Sequence, residues 1–165
     1  SNLEEIDQMK QTIDGLLLIS TAERSLQKTP CMVWPLLSDI QKELKSRIQE
    51  KKSTLEIRIP DTYSISAEPL LLRTCLRNLI ENAVKYSPSQ SKIIIQGSTD
   101  SLEITNTVES NTSINTTQVF EEFVGTPGAG TGLGLAIVKK IVDLHEWKIQ
   151  LTQPTSTEVR AKIMW

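Results

Sequence analysis

The chain has 165 residues, of which 38% are hydrophobic and 23% charged, and a net charge of −2. That length suits one domain with a short appendage, and it can bury a core without disulfide or metal staples. The faintly acidic balance argues against a surface dedicated to nucleic acid or to anionic membrane, and no apolar run approaches the roughly 18 residues of a membrane span. Cys31 and Cys75 are far apart, lack metal-ligand spacing, and read as buried reduced thiols of a cytosolic protein. The opening Ser1-Asn2 reads as the remnant of a cleaved tag, which makes the chain a fragment of a longer protein.

The first predicted element is a helix over 3–28. Its apolar stripe, Ile6, Met9, Ile13 and Leu16, widened by Leu17 and Ile19, calls for a partner, either its own domain or a bundle helix. Thr29-Pro30 is expected to stop it. A short strand over 31–34 follows. Pro35 then opens a helical run to about Lys51, with Leu36, Leu37, Ile40, Leu44 and Ile48 on one face. Residues 55–59 alternate as a half-buried strand does, ended by Pro60-Asp61. A long helix is predicted over 66–85, with Glu68 and Pro69 in its first turn. Residues 92–97 and 101–107 form a predicted hairpin joined at Thr99-Asp100. Residues 107–129 lack periodicity and are crowded with Ser, Thr, Asn, Gly and Pro, the composition of a lid or binding loop, expected to be largely mobile. A helix over 132–146 and two strands, 147–153 and 158–165, complete the chain. Helices mixed with antiparallel pairs predict a two-layer α+β sandwich, with helices on one sheet face.

Two polar clusters stand out. Gly130-Thr-Gly-Leu-Gly-Leu135 opens the last helix, where glycines let backbone amides approach an anion; as a lone motif it reads equally as a flexible helix cap. On the helix 66–85, Asn78, Asn82 and Lys85 are spaced i, i+4 and i+7 and share one face, while Leu72, Leu76, Leu79, Ile80 and Ala83 take the core side. Carboxamides do not titrate, so such a face is unsuited to acid–base work. It suits a hydrated Mg²⁺ and phosphate oxygens, with a solvated helix face as the plainer alternative.

Taken together, these segments resemble the sensor histidine kinases. Asn78-x-x-x-Asn82-Ala-x-Lys85-Tyr86 resembles the family's N box, Val119-Phe-Glu-Glu-Phe123 its F box, and Gly130-x-Gly132-Leu-Gly134-Leu its second glycine box, in matching order and spacing. The resemblance covers residues 31–165 as a catalytic ATP-binding domain of the GHKL (Bergerat) class. It implies a mixed, mostly antiparallel sheet covered on one face by about three helices. Residues 1–30 resemble the second helix of the dimerisation and phosphoacceptor hairpin. The implied cofactors are ATP and Mg²⁺. Asn78, Asn82 and Lys85 would form the catalytic set: Asn82 gives its carboxamide oxygen to Mg²⁺, Asn78 supports metal waters or phosphates, and Lys85 reaches a phosphate. Tyr86 would pack near the adenine. The amides of Gly130, Thr131, Gly132, Leu133, Gly134 and Leu135 would line the phosphates, Phe120 and Phe123 would seat the lid, and Thr157 would help hold an adenine-side water.

The departures from the family pattern also carry information. Where the family has an aspartate that accepts a hydrogen bond from the adenine amino group, this chain has Asn106, with no glycine after it. A neutral acceptor weakens that bond, by about 1 kcal/mol. The arginine that often follows the F box is replaced by Val124-Gly125, leaving phosphate charge to Lys85, Mg²⁺ and backbone amides, with Lys139 and Lys140 as surface lysines near that helix. The hydrolytic relatives of the class carry a glutamate at the first N-box position. Asn78 stands there and cannot act as a base, which favours transfer over hydrolysis. Glu81, the nearest carboxylate, points off the Asn78 line and is assigned no catalytic role. His145, the single histidine, matches a structural histidine of the family rather than a phosphoacceptor.

The reading is therefore a kinase fragment that binds Mg-ATP and donates the γ-phosphoryl group to a histidine outside this chain, for relay to a response-regulator aspartate. The alternative is a nucleotide-incompetent module kept for docking. The implied partners are the chain's own phosphoacceptor hairpin, a receiver domain and a second copy in a homodimer. No nucleic acid is expected, and the implied location is the cytoplasmic part of a membrane-anchored parent.

Overall fold

The computed structural model describes residues 2–110 and 134–165. Helix α1 (Asn2–Ala22) leads into β1 (Thr29–Met32), α2 (Val33–Glu43), α3 (Lys45–Lys51), β2 (Thr54–Arg58), β3 (Ser64–Ala67) and α4 (Pro69–Tyr86). The hairpin β4 (Lys92–Gly97) and β5 (Ser101–Thr107) comes next, then α5 (Gly134–Leu144), β6 (Lys148–Thr155) and β7 (Glu158–Met164). The predicted lid, from residue 111 onward, lies outside the described residues, as do Phe120, Phe123, Gly130, Thr131, Gly132 and Leu133.

Five strands form one sheet in the order β2-β4-β5-β7-β6, parallel between β2 and β4 and antiparallel elsewhere. Register and burial explain why one face is covered. Ile93, Asn106 and Val159 are cross-strand partners, as are Ile95, Ile104 and Ala161, and all six are buried on the helix side. Against them α4 lays Leu72, Leu76, Leu79, Ile80 and Ala83, and α5 lays Ile137, Val138, Ile141 and Val142. Burying each fully enclosed Leu or Ile of this kind contributes about 1.5–3 kcal/mol. The result is the α+β two-layer sandwich expected from the sequence.

Several boundaries differ from the sequence reading. Helix α1 ends at Ala22, six residues early, in tight i−3 bonds such as Ser25 N to the Ala22 carbonyl (3.1 Å). Thr29-Pro30 does not end a helix but opens β1, where a proline's missing N–H is harmless in a two-stranded sheet. Its partner β3 occupies what reads as the start of the long helix. The helix proper starts after Glu68, whose Oε2 accepts from Leu71 N at 2.8 Å with Pro69 as first residue. The run from Pro35 to Lys51 breaks at Leu44 (φ −93°, ψ 9°), a fully buried residue, and the new direction carries Arg47 to α4.

Helix α1 packs on α4 and α5 through Gly15 and Ile19. Its predicted apolar stripe divides: Ile6, Met9, Ile13 and Leu17 are all more than half exposed, whereas Ile19 is buried and Leu16 packs on the core. The two cysteines are buried and free, and burial pushes the Cys75 thiol up to about 12, so it stays protonated.

Candidate functional site

Helix α4 is amphipathic in an unusual way, because its second side is half-buried rather than solvated. Asn78 and Asn82 lie one turn apart on that side. The Asn78 Nδ2 donates to the Thr74 carbonyl at 2.8 Å, which fixes the amide and turns Oδ1 outward. Gly134 of α5 sits directly opposite: a Cβ there would stand 3.1 Å from Asn78 Oδ1 and 3.9 Å from Asn82 Nδ2. A side chain there would crowd the Asn78 amide, and glycine leaves α5 free to approach this closely. The structure thus brings the asparagine pair and the end of the glycine run into one corner.

That corner opens into a cavity of about 440 Å³ between α1 and α4. Asn78, Asn82, Tyr86, Gly134 and Leu135 line it on one side, and Gln8 and Gln11 of α1 on the other. Tyr86 keeps 40% of its surface exposed. Of the remaining predicted residues, Lys85 is half-buried but does not line the cavity. Burial lowers its pKa from the usual lysine value, with Arg47 acting in the same sense and Glu81 opposing. Asn106 is buried on β5, with Nδ2 donating to the Thr107 carbonyl at 3.0 Å. Thr157 is exposed in the β6–β7 turn, where its carbonyl accepts from Val108 N at 2.8 Å. Neither lines this cavity. Lys139 pairs with Asp143 at 2.7 Å.

Beneath the asparagine pair runs a charged network that the sequence reading did not assemble. Glu81 is buried and receives Arg47 Nη1 on Oε1 at 2.5 Å and Arg77 Nη1 on Oε2 at 2.6 Å. Glu43 meets Arg73 and Arg77, each at 3.1 Å. Gln8 Nε2 donates to Glu81 Oε1 at 2.9 Å and Gln11 Nε2 to Glu43 Oε1 at 3.0 Å, tying α1 into the same set. The i, i+4 spacing of Arg77 and Glu81 is the one signal in the sequence that could have found it. With both carboxylate oxygens engaged by guanidinium groups, Glu81 is no free base.

His145 is equally committed. It is buried, its Nδ1 lies 2.7 Å from the Ile141 carbonyl and its Nε2 accepts from Glu68 N at 3.1 Å, which fixes the neutral Nδ1–H tautomer. The ring stacks on Trp147 with centroids 4.2 Å apart. Burial holds its pKa below the ordinary value. The placement suits the structural role expected from the sequence.

Comparison with known proteins agrees with this geometry. Residues 67–164 match the family model described as histidine kinase-, DNA gyrase B- and HSP90-like ATPase. Among curated relatives, the sensor protein QseC of Escherichia coli K12 is 28% identical over 97% of this chain and 37% of its own length. The heme sensor protein HssS of Staphylococcus epidermidis is 32% identical over 97% of the chain and 37% of its own length. The chain thus spans well under half of these relatives. The cytoplasmic segment of histidine kinase QseC superposes with a TM-score of 0.68 at 22% identity, covering 97% of this chain and 93% of that one. Full-length ShkA in complex with AMPPNP gives 0.76 at 20% identity, over 97% of this chain and 36% of that one. The family match spans the whole asparagine–glycine corner and more than half of the sequence, and on that basis the chain belongs to the histidine kinase-, DNA gyrase B- and HSP90-like ATPase family.

Proposed function

We propose that this chain is the ATP-binding catalytic part of a sensor histidine kinase, which binds Mg-ATP at the Asn78–Asn82–Gly134 corner. The γ-phosphoryl group passes to a histidine outside this chain, and from there to the aspartate of a response-regulator receiver domain. The observation that carries this reading is the close approach of Gly134 to Asn78 and Asn82, which joins a carboxamide pair to a glycine-opened helix end.

The donor set fits the cofactors. Among the described residues no cluster of three His, Cys, Asp or Glu forms a metal cage, so a cation here depends on carboxamide oxygens and on the phosphates themselves, as Mg²⁺ does in nucleotide sites. Asn82 would offer its Oδ1 to Mg²⁺, and Asn78 would hold metal-bound water or a phosphate oxygen. Lys85 and the amides of residues 130–135 would meet the phosphate charge. Mg²⁺, when bound, neutralises charge on the β- and γ-oxygens. Asn106 offers Oδ1 on the base side, Tyr86 an aromatic face, and Phe120 and Phe123 the lid contacts, with Thr157 on the adenine-side water. Catalysis then consists of orienting the nucleotide and keeping water inactive, since the carboxamide Asn78 replaces a base and Glu81 is locked between arginines.

In this reading residues 1–30 are the second helix of the phosphoacceptor hairpin, residues 31–165 the catalytic domain, and the intact protein is a homodimer. No helix of the described residues is long and apolar enough to cross a membrane, which suits a cytoplasmic segment of an anchored parent. Calorimetric titration of a non-hydrolysable ATP analogue with Mg²⁺ tests the proposal. The chain should bind in the micromolar range and Asn82→Ala should lose at least tenfold in affinity. Absence of binding at millimolar nucleotide would favour the module kept for docking.

A further inference from the structure

We propose that α1, seated as it is here, is a brake on the nucleotide site: the docked helix and Mg-ATP compete for the Asn78–Asn82 cavity. The inference rests on the nucleotide reading of that cavity given above.

The wall that α1 contributes is wrong for a polyphosphate. Asp7 and Asp14 of α1 line the cavity that holds Asn78 and Asn82, with Lys10 as the α1 cation beside them. The arginines that line it from α4 are already engaged, Arg73 by Glu43 and Arg77 by both Glu43 and Glu81. A nucleotide entering with α1 docked would therefore place its phosphates against a net-negative helix, in a confined space where like charges repel strongly.

The seam is also built to part. Its hydrogen bonds to the charged network come from neutral amides, Gln8 to Glu81 and Gln11 to Glu43. At Gly15 the packing is of ordinary closeness: a Cβ would lie 3.5 Å from both Ile137 Cδ1 and Thr74 Cγ2. Only Gly15 and Ile19 of α1 are fully buried. Over its first half α1 faces the cavity with Gln8, Gln11 and Thr12 while Ile6, Met9 and Ile13 stay exposed, and its apolar packing, through residues such as Leu18 and Ile19, is confined to its C-terminal end. Undocking leaves the Arg47–Glu81–Arg77 pairs intact, so α4 keeps its counter-charges when α1 departs. Because the two ligands of the cavity are linked, whatever α1 costs nucleotide affinity, nucleotide must cost α1 docking by the same factor.

The test locks the helix. Gly15→Cys with Thr74→Cys, in the full 165-residue chain, places two thiols within disulfide reach; the native Cys31 and Cys75 are both buried. Mg-ADP affinity is measured by calorimetry on the oxidised and the reduced protein. The oxidised form should bind at least tenfold more weakly, with recovery on reduction. Gln8→Ala with Gln11→Ala, which loosens the seam without a cross-link, should bind several-fold more tightly than the parent chain. Mg-ADP should also speed amide exchange over residues 8–19 of the parent. Equal affinity in the oxidised and reduced forms overturns the brake. Tighter binding on oxidation overturns it as well and makes α1 part of the binding wall. Failure of every form to bind, the loosened variant included, removes the nucleotide reading itself.

Discussion

Two of the polar anchors that tie helix α4 to the rest of the fold use opposite chemistry. In its second half, Glu81 is a buried charge clamped between Arg47 and Arg77. At its start, Glu68 N is received by a buried but neutral imidazole, His145 Nε2. The charged hold sits among the residues of the proposed nucleotide site and, when α1 moves, gives up the Gln8 contact while keeping both arginines. The neutral hold sits at the far end and has no free valence to exchange. Desolvation sets the difference: a buried charge demands a counter-charge, whereas a neutral ring needs only its two nitrogens satisfied.

The comparison breaks most sharply at Glu81. Glu81→Ala leaves Arg77, whose side chain is only 7% exposed, without its main counter-charge, and should destabilise the fold by about 3–5 kcal/mol in urea denaturation. Arg47→Ala should cost less, because the Arg47 side chain is 27% exposed and can be hydrated when alone. A cost below about 1 kcal/mol for Glu81→Ala would mean that the pair is solvated and that the two holds are not different in kind.

At the neutral hold, His145→Phe preserves the stack on Trp147 but leaves Glu68 N without an acceptor, at a cost of about 1–3 kcal/mol. The pH dependence separates it from the charged hold. Burial keeps His145 below its ordinary 6.5 in the folded state, the bond to the Ile141 carbonyl and the nearby Glu68 oppose that shift, and Lys28 adds to it. As pH falls through about 6.5 the unfolded chain takes up the proton first. Stability is therefore full above that value and declines below it until the folded state also protonates. Urea midpoints at pH 7.5 and 5.5 should differ more for the parent chain than for His145→Phe. An unchanged difference would remove His145 as the source.

The sequence made the apolar framework legible, because strand alternation over 55–59, 92–97 and 101–107 and the heptad-like spacing of α4 are local signals. The asparagine–glycine corner was legible for another reason: Asn78, Asn82 and the glycines each sit at a helix position whose direction follows from spacing alone. What stayed hidden depends on non-local partners. Arg47 and Glu43 reach Glu81 and Arg77 only because the chain bends at Leu44, and nothing in the run from Pro35 to Lys51 announces that bend. Ser66 and Ala67, the second half of β3, read as the start of a helix because four residues are too few to show alternation, and their pairing with β1 decides the matter. For α1 the apolar stripe holds only at its C-terminal end, where Leu16 and Ile19 pack inward, while Ile6, Met9 and Ile13 stay exposed. Its first half docks through Gln8 and Gln11, whose partners Glu81 and Glu43 are distant in sequence and which a hydrophobicity pattern cannot register.

The smallest expected effect probes the backbone that presents the neutral hold. Glu146 follows His145 in the left-handed region, φ 59°, as the chain leaves α5, with Glu146 N bonded to the Asp143 carbonyl at 3.0 Å and Trp147 N to the Val142 carbonyl at 2.9 Å. This is the bond pattern that closes a helix around a glycine, and a residue with a Cβ is strained there. Glu146 is exposed, so Glu146→Gly removes the strain at little cost in contacts. Glycine also gains freedom in the unfolded chain, which offsets part of the benefit. The net expectation is a stabilisation of about 0.5–1 kcal/mol in urea denaturation, with the pH dependence of the parent retained because both bonds of His145 survive. A stabilisation accompanied by a flattened pH profile would show that the turn, rather than burial of the ring, keeps the imidazole neutral, and the contrast between the two holds of α4 would then rest on backbone geometry instead of desolvation.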